Sequence, residues 1–372
     1  MRYTQKEHCK LLLDALTNPD CLVEYNDSDW ELLLRLARKV KLFGRLATEL
    51  NKRNLLEKVP VRAANLLRSG LIQAKRLQQL SHWELNRVLW ALQVIDVPIV
   101  VLKGVAYSLA GLPESEGRVY VDLDFLVPEN ELGNVEAILT FKGWQFQKLS
   151  AYDEYYYRVW SHEIPPLTHF ERGTEVDIHH TIAPLTSRLK INTNLLFQEA
   201  ITVNNDAKLK ILSPVDMVMH CAVNLFQNNE LADDLRDLLD FHDLLLFFNA
   251  KEENFWEKLT MRANQLRLSY ILFYAMYFSN NIFKTKIPDY VFNGLDKKPG
   301  KIKMWVMHQT VPLALFPQNP DKPSRSVSMA RTLMFLRSHW IRMPLYLLIP
   351  HLAYKSFLAV FPKKTAGVSN NK

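Results

Sequence analysis

Val119-Tyr-Val-Asp122-Leu-Asp124-Phe-Leu-Val127 is an apolar run that carries two aspartates two positions apart. Side chains at i and i+2 of a strand share a face. A strand here sets Asp122 and Asp124 side by side and turns Val121, Leu123 and Phe125 towards a core. Carboxylates this close repel each other and raise each other's pKa. A divalent cation removes that cost, and Mg²⁺ favours carboxylate oxygens together with phosphates. The pair is the skeleton of a metal site for phosphoryl or nucleotidyl transfer.

Upstream, Pro98-Ile-Val-Val-Leu102 reads as a short strand, followed directly by Lys103-Gly104 and a helix over 105–110. Amides at a helix start bind phosphate, and a glycine lets the phosphate approach closely. Arg118 stands just before the aspartate strand, where it can neutralise the acids or meet a phosphate. Downstream the pattern predicts a helix over 129–141, stopped at Lys142-Gly143, and strands over 144–149, 154–160, 167–170 and 175–180. The aromatic run of Tyr152 to Trp160 is expected in the sheet core. The last strand, Glu175-Val-Asp177-Ile-His179-His180, sets Asp177 and His179 on one face and His180 on the other. Strand–helix–strand–helix followed by more strands predicts an α+β fold with a small mixed sheet.

The flanks read as helical. Leu11, Leu12, Leu13 and Leu16, and the block from Trp30 with Asp27, Ser28 and Asp29 as its caps, repeat at helical spacing, and a third helix is expected over 62–93. Ser213-Pro214 opens a second helical region, with helices expected over 232–248, 254–267 and 269–280. On the first of these, Asp233, Asp237 and Asp240 fall on one face, an ion-paired or solvated face beside Arg236. Pro312, Pro317, Pro320 and Pro323 mark a linker. The expected division is an N-terminal helical region over 1–95, an α+β core over 96–205, a helical domain over 206–310, and a Pro-containing linker with a basic, apolar tail over 311–372.

Composition narrows the function classes. Eleven glycines in 372 residues are too few for Gly-rich phosphate cradles or propeller repeats, and a net charge of +7 fits polyanionic partners. Cys9, Cys21 and Cys221 lack metal-ligand spacing and read as reduced thiols of a cytoplasmic protein. The start, Met1-Arg-Tyr-Thr, lacks the apolar core of a leader. The apolar stretch 340–362 is broken by Arg342, Pro344, Pro350, His351 and Lys355, so no spanning helix is expected. Its aromatic residues, together with Arg325, Arg331, Arg337, Lys363, Lys364 and Lys372, suit either a contact with the inner face of a membrane or packing as ordinary helices. Histidines 162, 169, 179 and 180 match no common zinc spacing.

Val101-Leu-Lys-Gly104, Arg118-x-x-x-Asp122-Leu-Asp124, Gly143-Trp144, Val176-Asp-Ile-His179 and the stretch from Ser213-Pro-Val-Asp216 to Leu235-Arg-Asp237-Leu-Leu-Asp240 together resemble a known family. It is the bacterial family of uncharacterised nucleotidyltransferases, within the DNA polymerase β-like nucleotidyltransferase superfamily. The superfamily signature is a Gly-Gly or Gly-Ser turn at a helix start, then Asp-x-Asp, then a third Asp on a later strand. Lys103-Gly104-Val105 departs from it by losing the hydroxyl, with Lys103 as the substitute phosphate contact. The resemblance implies a polymerase β-like core that transfers a nucleoside monophosphate from NTP to an acceptor hydroxyl on a small molecule, sugar or protein, with release of pyrophosphate.

On that resemblance Asp122 and Asp124 bind two Mg²⁺ ions (or Mn²⁺), and Asp177 completes the site and helps remove the acceptor proton. Lys103, Gly104 and Arg118 bind the nucleotide, and Asp237 and Asp240 are acceptor contacts on a helical domain that closes over the site. His179 orients Asp177, touches nucleotide or ligates metal, or is a packed, hydrogen-bonded histidine. Two other readings share these residues: a scaffold that binds nucleotide or a partner without turnover, and a membrane-surface accessory of polysaccharide or lipid assembly.

Overall fold

Residues 5–203 and 206–360 are described by the structure, a computed structural model. Met1 to Thr4, Lys363, Lys364, Lys372 and the side chain of Lys355, all part of the sequence reading above, lie outside the described residues. Four helices precede the first strand: α1 (Gln5–Thr17), α2 (Asp27–Lys39), α3 (Phe43–Lys52) and α4 (Val61–Ala91). The cap expected at Asp27 to Asp29 is Asn26. Its side chain accepts from the Ser28 and Asp29 amides, while the Asp29 side chain accepts from the Asn26 amide.

The middle of the chain runs β1 (Ile99–Val101), α5 (Lys103–Leu109), β2 (Asp122–Leu126), α6 (Leu132–Phe141), β3 (Trp144–Phe146) and α7 (Ala151–Trp160). It continues through β4 (Leu167–His169), β5 (Glu175–His179), α8 (Asn194–Glu199), β6 (Ile201–Val203) and β7 (Asp206–Ile211). The result is a mixed seven-stranded sheet in the order β3-β4-β5-β2-β1-β7-β6. β2 lies at its centre, parallel to β5 and antiparallel to β1. Leu123 and Phe125 of β2 and Val176 and Ile178 of β5 are fully buried on the face opposite the acids, as the alternation requires.

Two features of the sheet differ from the sequence reading. The strand expected over 154–160 is the helix α7. Its residues are β-formers by type, but Ser150 caps the segment by accepting from the Asp153 amide, and Glu154 pairs with Arg158 one turn on. Its aromatic rings lie outside the sheet core: Tyr152 stacks near His351 and Tyr354 of the last helix. The second difference is the pair β6 and β7, which the sequence pattern does not announce. In β7, Leu209 and Ile211 are buried between more exposed lysines, and the strand pairs in parallel with β1.

The remainder is helical: α9 (Pro214–Val223), α10 (Leu235–Lys251), α11 (Phe255–Gln265), α12 (Ser269–Phe283), α13 (Asp289–Asn293), α14 (Lys301–Leu315), α15 (Arg325–Arg342) and α16 (Leu345–Val360). Ser213 caps α9 by accepting from the Asp216 amide. Buried Asp216 is held by Arg262 through two bonds of 2.6 and 2.7 Å. In the stretch expected as a linker, residues 316–324, with Pro317, Pro320 and Pro323, lie outside helices, while its two ends belong to α14 and α15. Pro312 lies inside α14, three residues before its end at Leu315, and removes the N–H that would bond the carbonyl of His308. α14 and α15 pack together, and the chain between them is confined to residues 316–324. Asp233 is not on the face of α10: the helix starts at Leu235, and Asp233 has a left-handed backbone (φ 63°) and bonds Arg331. Among the described residues, no helix is long and apolar enough to cross a membrane.

Candidate active site

Parallel pairing of β2 with β5 places Asp124 directly opposite Asp177, with Asp122 two residues before Asp124 on the same face. One carboxylate oxygen from each of the three lies within 4.8 Å of the others. Asp124 and Asp177 are buried and Asp122 is half-buried. Lys103, the first residue of α5, crosses from the end of β1 and donates to Asp124 Oδ1 at 2.6 Å. His179 Nε2 meets the same oxygen at 3.0 Å. Since an ionised carboxylate only accepts, the imidazole donates there, which assigns the proton to Nε2.

Electrostatics divide the acids. Burial alone would raise Asp124, but the Lys103 charge and the His179 bond reverse it and hold its carboxyl well below the usual range. Asp177 is bonded by neither Lys103 nor His179, and the Lys103 charge acts on it less than burial and the neighbouring acids do. Burial, reinforced by the charges of Asp124, Glu163 and Asp122, pushes it up to about 9. Asp122 is also raised, by burial and then by Asp124. Asp177 Oδ1 is buried and makes no hydrogen bond. Crowded carboxylates, one with an unsatisfied buried oxygen, are the donor set of a hard divalent cation. The residues therefore fit such an ion.

Beside the triad opens a cavity of about 260 Å³, whose lining includes Lys41, Lys103, Arg118, Asp122, His220, Arg236, Asp237 and Asp240. Arg118 Nε donates to Asp240 at 3.0 Å, and its guanidinium lies 5.5 Å from the centre of the Tyr107 ring. Arg236 and Asn224 hold Asp237. The two helix acids thus reach the same cavity as Lys103, each already paired with an arginine. Gly104 has a different neighbour from the one expected. A Cβ there would sit 2.2 Å from Arg118 Nη1, so the glycine makes room for the arginine. Lys103 itself has φ 50°, a left-handed backbone that favours glycine, so its ammonium is held over Asp124 at a conformational cost.

Asp122, Asp124, Asp177, Lys103 and His179 form one cluster, with Gly104, Arg118, Asp237 and Asp240 along the adjoining cavity. His180 faces away, towards a separate cavity lined by Glu129, Thr181 and Asn194. The sequence pattern does not single out Glu163, His220, Lys41 or Asn224, and it sets Asp234 on a helix that starts one residue later, at Leu235. Glu163 is brought beside His179 by an isolated antiparallel bridge, a pairing that leaves no pattern in the sequence. His220 and Asn224 sit on and just after α9 with no motif around them.

A family model described as an uncharacterised nucleotidyltransferase matches residues 26–284. No curated protein and no solved structure matches the chain.

Proposed function

The chain belongs to the family of uncharacterised nucleotidyltransferases, and from that premise we propose that it is a Mg²⁺-dependent enzyme of polymerase β-like architecture. It transfers a nucleoside monophosphate from NTP to an acceptor hydroxyl and releases pyrophosphate. The observation that carries this reading is the set of three carboxylates on adjacent parallel strands, within 4.8 Å of one another.

In the reaction the acceptor oxygen attacks the α-phosphorus as the bond to the β-phosphate oxygen breaks, and pyrophosphate leaves with that electron pair. Asp122, Asp124 and Asp177 would hold Mg²⁺ (two ions, with Mn²⁺ as a substitute), which supplies charge neutralisation on the phosphates and acidifies the acceptor hydroxyl. Asp177, which burial and its acidic neighbours otherwise keep protonated, would be ionised by the charge of a bound cation, and its carboxylate, whose Oδ1 makes no hydrogen bond, would then take the acceptor proton. Lys103 and Arg118 present their charges to the cavity for the triphosphate. Lys103 spans the two tasks, since it also neutralises Asp124. Its left-handed backbone falls where the superfamily turn carries glycine.

The test is transfer of α-labelled nucleotide by wild type and by an Asp122→Ala/Asp124→Ala variant, with each of the four NTPs and small-molecule, sugar and protein acceptors. Label transferred by wild type alone, with Mg²⁺, supports the enzyme. If both chains bind NTP with the same metal dependence and neither labels any acceptor, the chain is a scaffold and the catalytic reading fails.

A surface feature favours a second, additional role at the inner face of a membrane. On α15, Met329, Leu333, Leu336 and Trp340 are exposed at helical spacing, forming one apolar stripe. Tyr346 and Ile349 of α16 are exposed too. Arg331 and Arg337 turn inward instead, to Asp233 and to the Phe226 carbonyl. Binding would therefore rest on the apolar stripe, with exposed Arg325 at the start of the same helix. Flotation of the full chain with anionic liposomes, lost in a Leu336→Asp/Trp340→Asp variant, is the supporting result; no flotation of the wild type overturns it.

A further inference from the structure

We propose that His162, Glu163 and His179 form a second cation site, separate from the three aspartates and built for a borderline divalent ion such as Zn²⁺. This inference does not rest on the nucleotidyl-transfer reading. One ligand atom from each of the three residues lies within 4.8 Å of the others. The set of two imidazoles and a carboxylate is softer than the all-oxygen triad and suits zinc or a similar ion.

The backbone builds this site from two segments. Residues 162–164 lie along β5: the Ile164 amide donates to the Ile178 carbonyl at 3.1 Å, and the His180 amide donates to the His162 carbonyl at 3.0 Å. Glu163 and His179 are the bridged pair between them. Cross-strand partners carry their side chains to the same face. The carboxylate and the imidazole are thus held together by main-chain register and not by a flexible loop.

The second observation is the state of His179. Its side chain is 2% exposed, and its Nδ1 makes no hydrogen bond. Nε2 already donates to Asp124, so in the neutral imidazole Nδ1 carries a lone pair. That nitrogen lies 3.5 Å from Glu163 Oε2, and His162 Nε2 lies 3.7 Å from the same oxygen. Both distances are too long for a good hydrogen bond. They are close to the edge of about 3.4 Å that bonds of ~2.1 Å make in a tetrahedral site. A cation between the three would engage the buried His179 nitrogen together with the partly exposed His162 and Glu163.

The arrangement also follows the logic of metal-bound histidine, whose other nitrogen is commonly bonded to a carboxylate that fixes the ring. Here that carboxylate is Asp124. An ion on Nδ1 would lock the Nε2 proton onto Asp124 and so position the central acid of the triad. His179 would then be a positioning residue that joins the two sites.

The test is titration of the metal-free full chain with Zn²⁺ by calorimetry and with Co²⁺ by visible absorption, both in millimolar Mg²⁺. The expected result is one bound ion per chain with the ligand-field bands of a four-coordinate nitrogen and oxygen site. His162→Ala and Glu163→Gln should each weaken binding by more than about tenfold, the lower end of what even outer partners contribute. Asp177→Asn should leave the affinity within about threefold. Binding that ignores the first two variants, vanishes in the third, or is absent in Mg²⁺ overturns the proposal. If His162→Ala does not fold, nitrogen-15 resonances of the wild-type imidazoles decide. Zn²⁺ should shift His179 Nδ1 and not Nε2; the reverse, or no shift, overturns the site.

Discussion

Lys103 donates to Asp124 Oδ1 at 2.6 Å from a backbone held at φ 50°. A left-handed lysine is uncommon, so the surrounding structure is holding the charge over the acid against local preference. Lys103→Met would leave Asp124 buried without its main counter-charge. We expect a loss of about 3 kcal/mol in EDTA, the scale for breaking a buried pair from one side. Added Mg²⁺ should recover part of it if the triad binds the ion. Urea denaturation with and without Mg²⁺ measures both effects.

Asp177 should make stability depend on pH. Its carboxyl sits at about 9 in the folded chain, against an ordinary value of 3.8. A raised folded value means the group's contribution is full below about pH 4 and is lost as pH rises towards 9. Wild type should therefore lose stability relative to Asp177→Asn across that window in EDTA, on the order of 3 kcal/mol. Denaturation of both chains at pH 5 and pH 8.5 gives the difference, and an equal difference at the two pH values contradicts it.

Gly104→Ala should affect ligand binding more than folding. The added methyl would meet Arg118 Nη1 at 2.2 Å. That atom is the end of a flexible chain, so the arginine can shift, and the cost to stability is about 1 kcal/mol. The shift disturbs the 3.0 Å bond to Asp240 and the charge offered to the cavity. NTP affinity should fall by about tenfold, equivalent to about 1.4 kcal/mol, as measured by calorimetry alongside a thermal melt.

Arg262→Met tests a purely structural pair. It strands Asp216, fully buried at the start of α9, without its two guanidinium bonds. A loss of about 3–5 kcal/mol is expected. Neither residue lines the cavity beside the triad, so nucleotide transfer per folded molecule should stay at the wild-type level.

The strand that carries Asp122 and Asp124, the strand that carries Asp177, the long helix α4 and the Ser213 cap of α9 are all legible in the sequence. Each rests on local chemistry: a period of two, a period near 3.6, or a hydroxyl before a proline. Such signals fail where a local preference is outvoted. Tyr155, Tyr156 and Tyr157 favour strands by type, yet the Ser150 cap and the Glu154–Arg158 pair make α7 a helix. Pro312 signals a break, yet it lies inside α14, which packs along α15.

What the sequence by itself determined is the inventory: two acids on one strand face, a third on another strand, and a lysine–glycine pair at a helix start. Tertiary structure decided their relations. Parallel pairing of β2 and β5 sets Asp124 against Asp177. The approach of α10 gives Arg118 its partner, 122 residues away, in Asp240. A single bridge puts Glu163 beside His179, where residue spacing alone showed no metal motif. The physical reason is that periodicity fixes which way a side chain points along its own element. Strand register and helix docking, set by the burial of the whole core, fix what it meets.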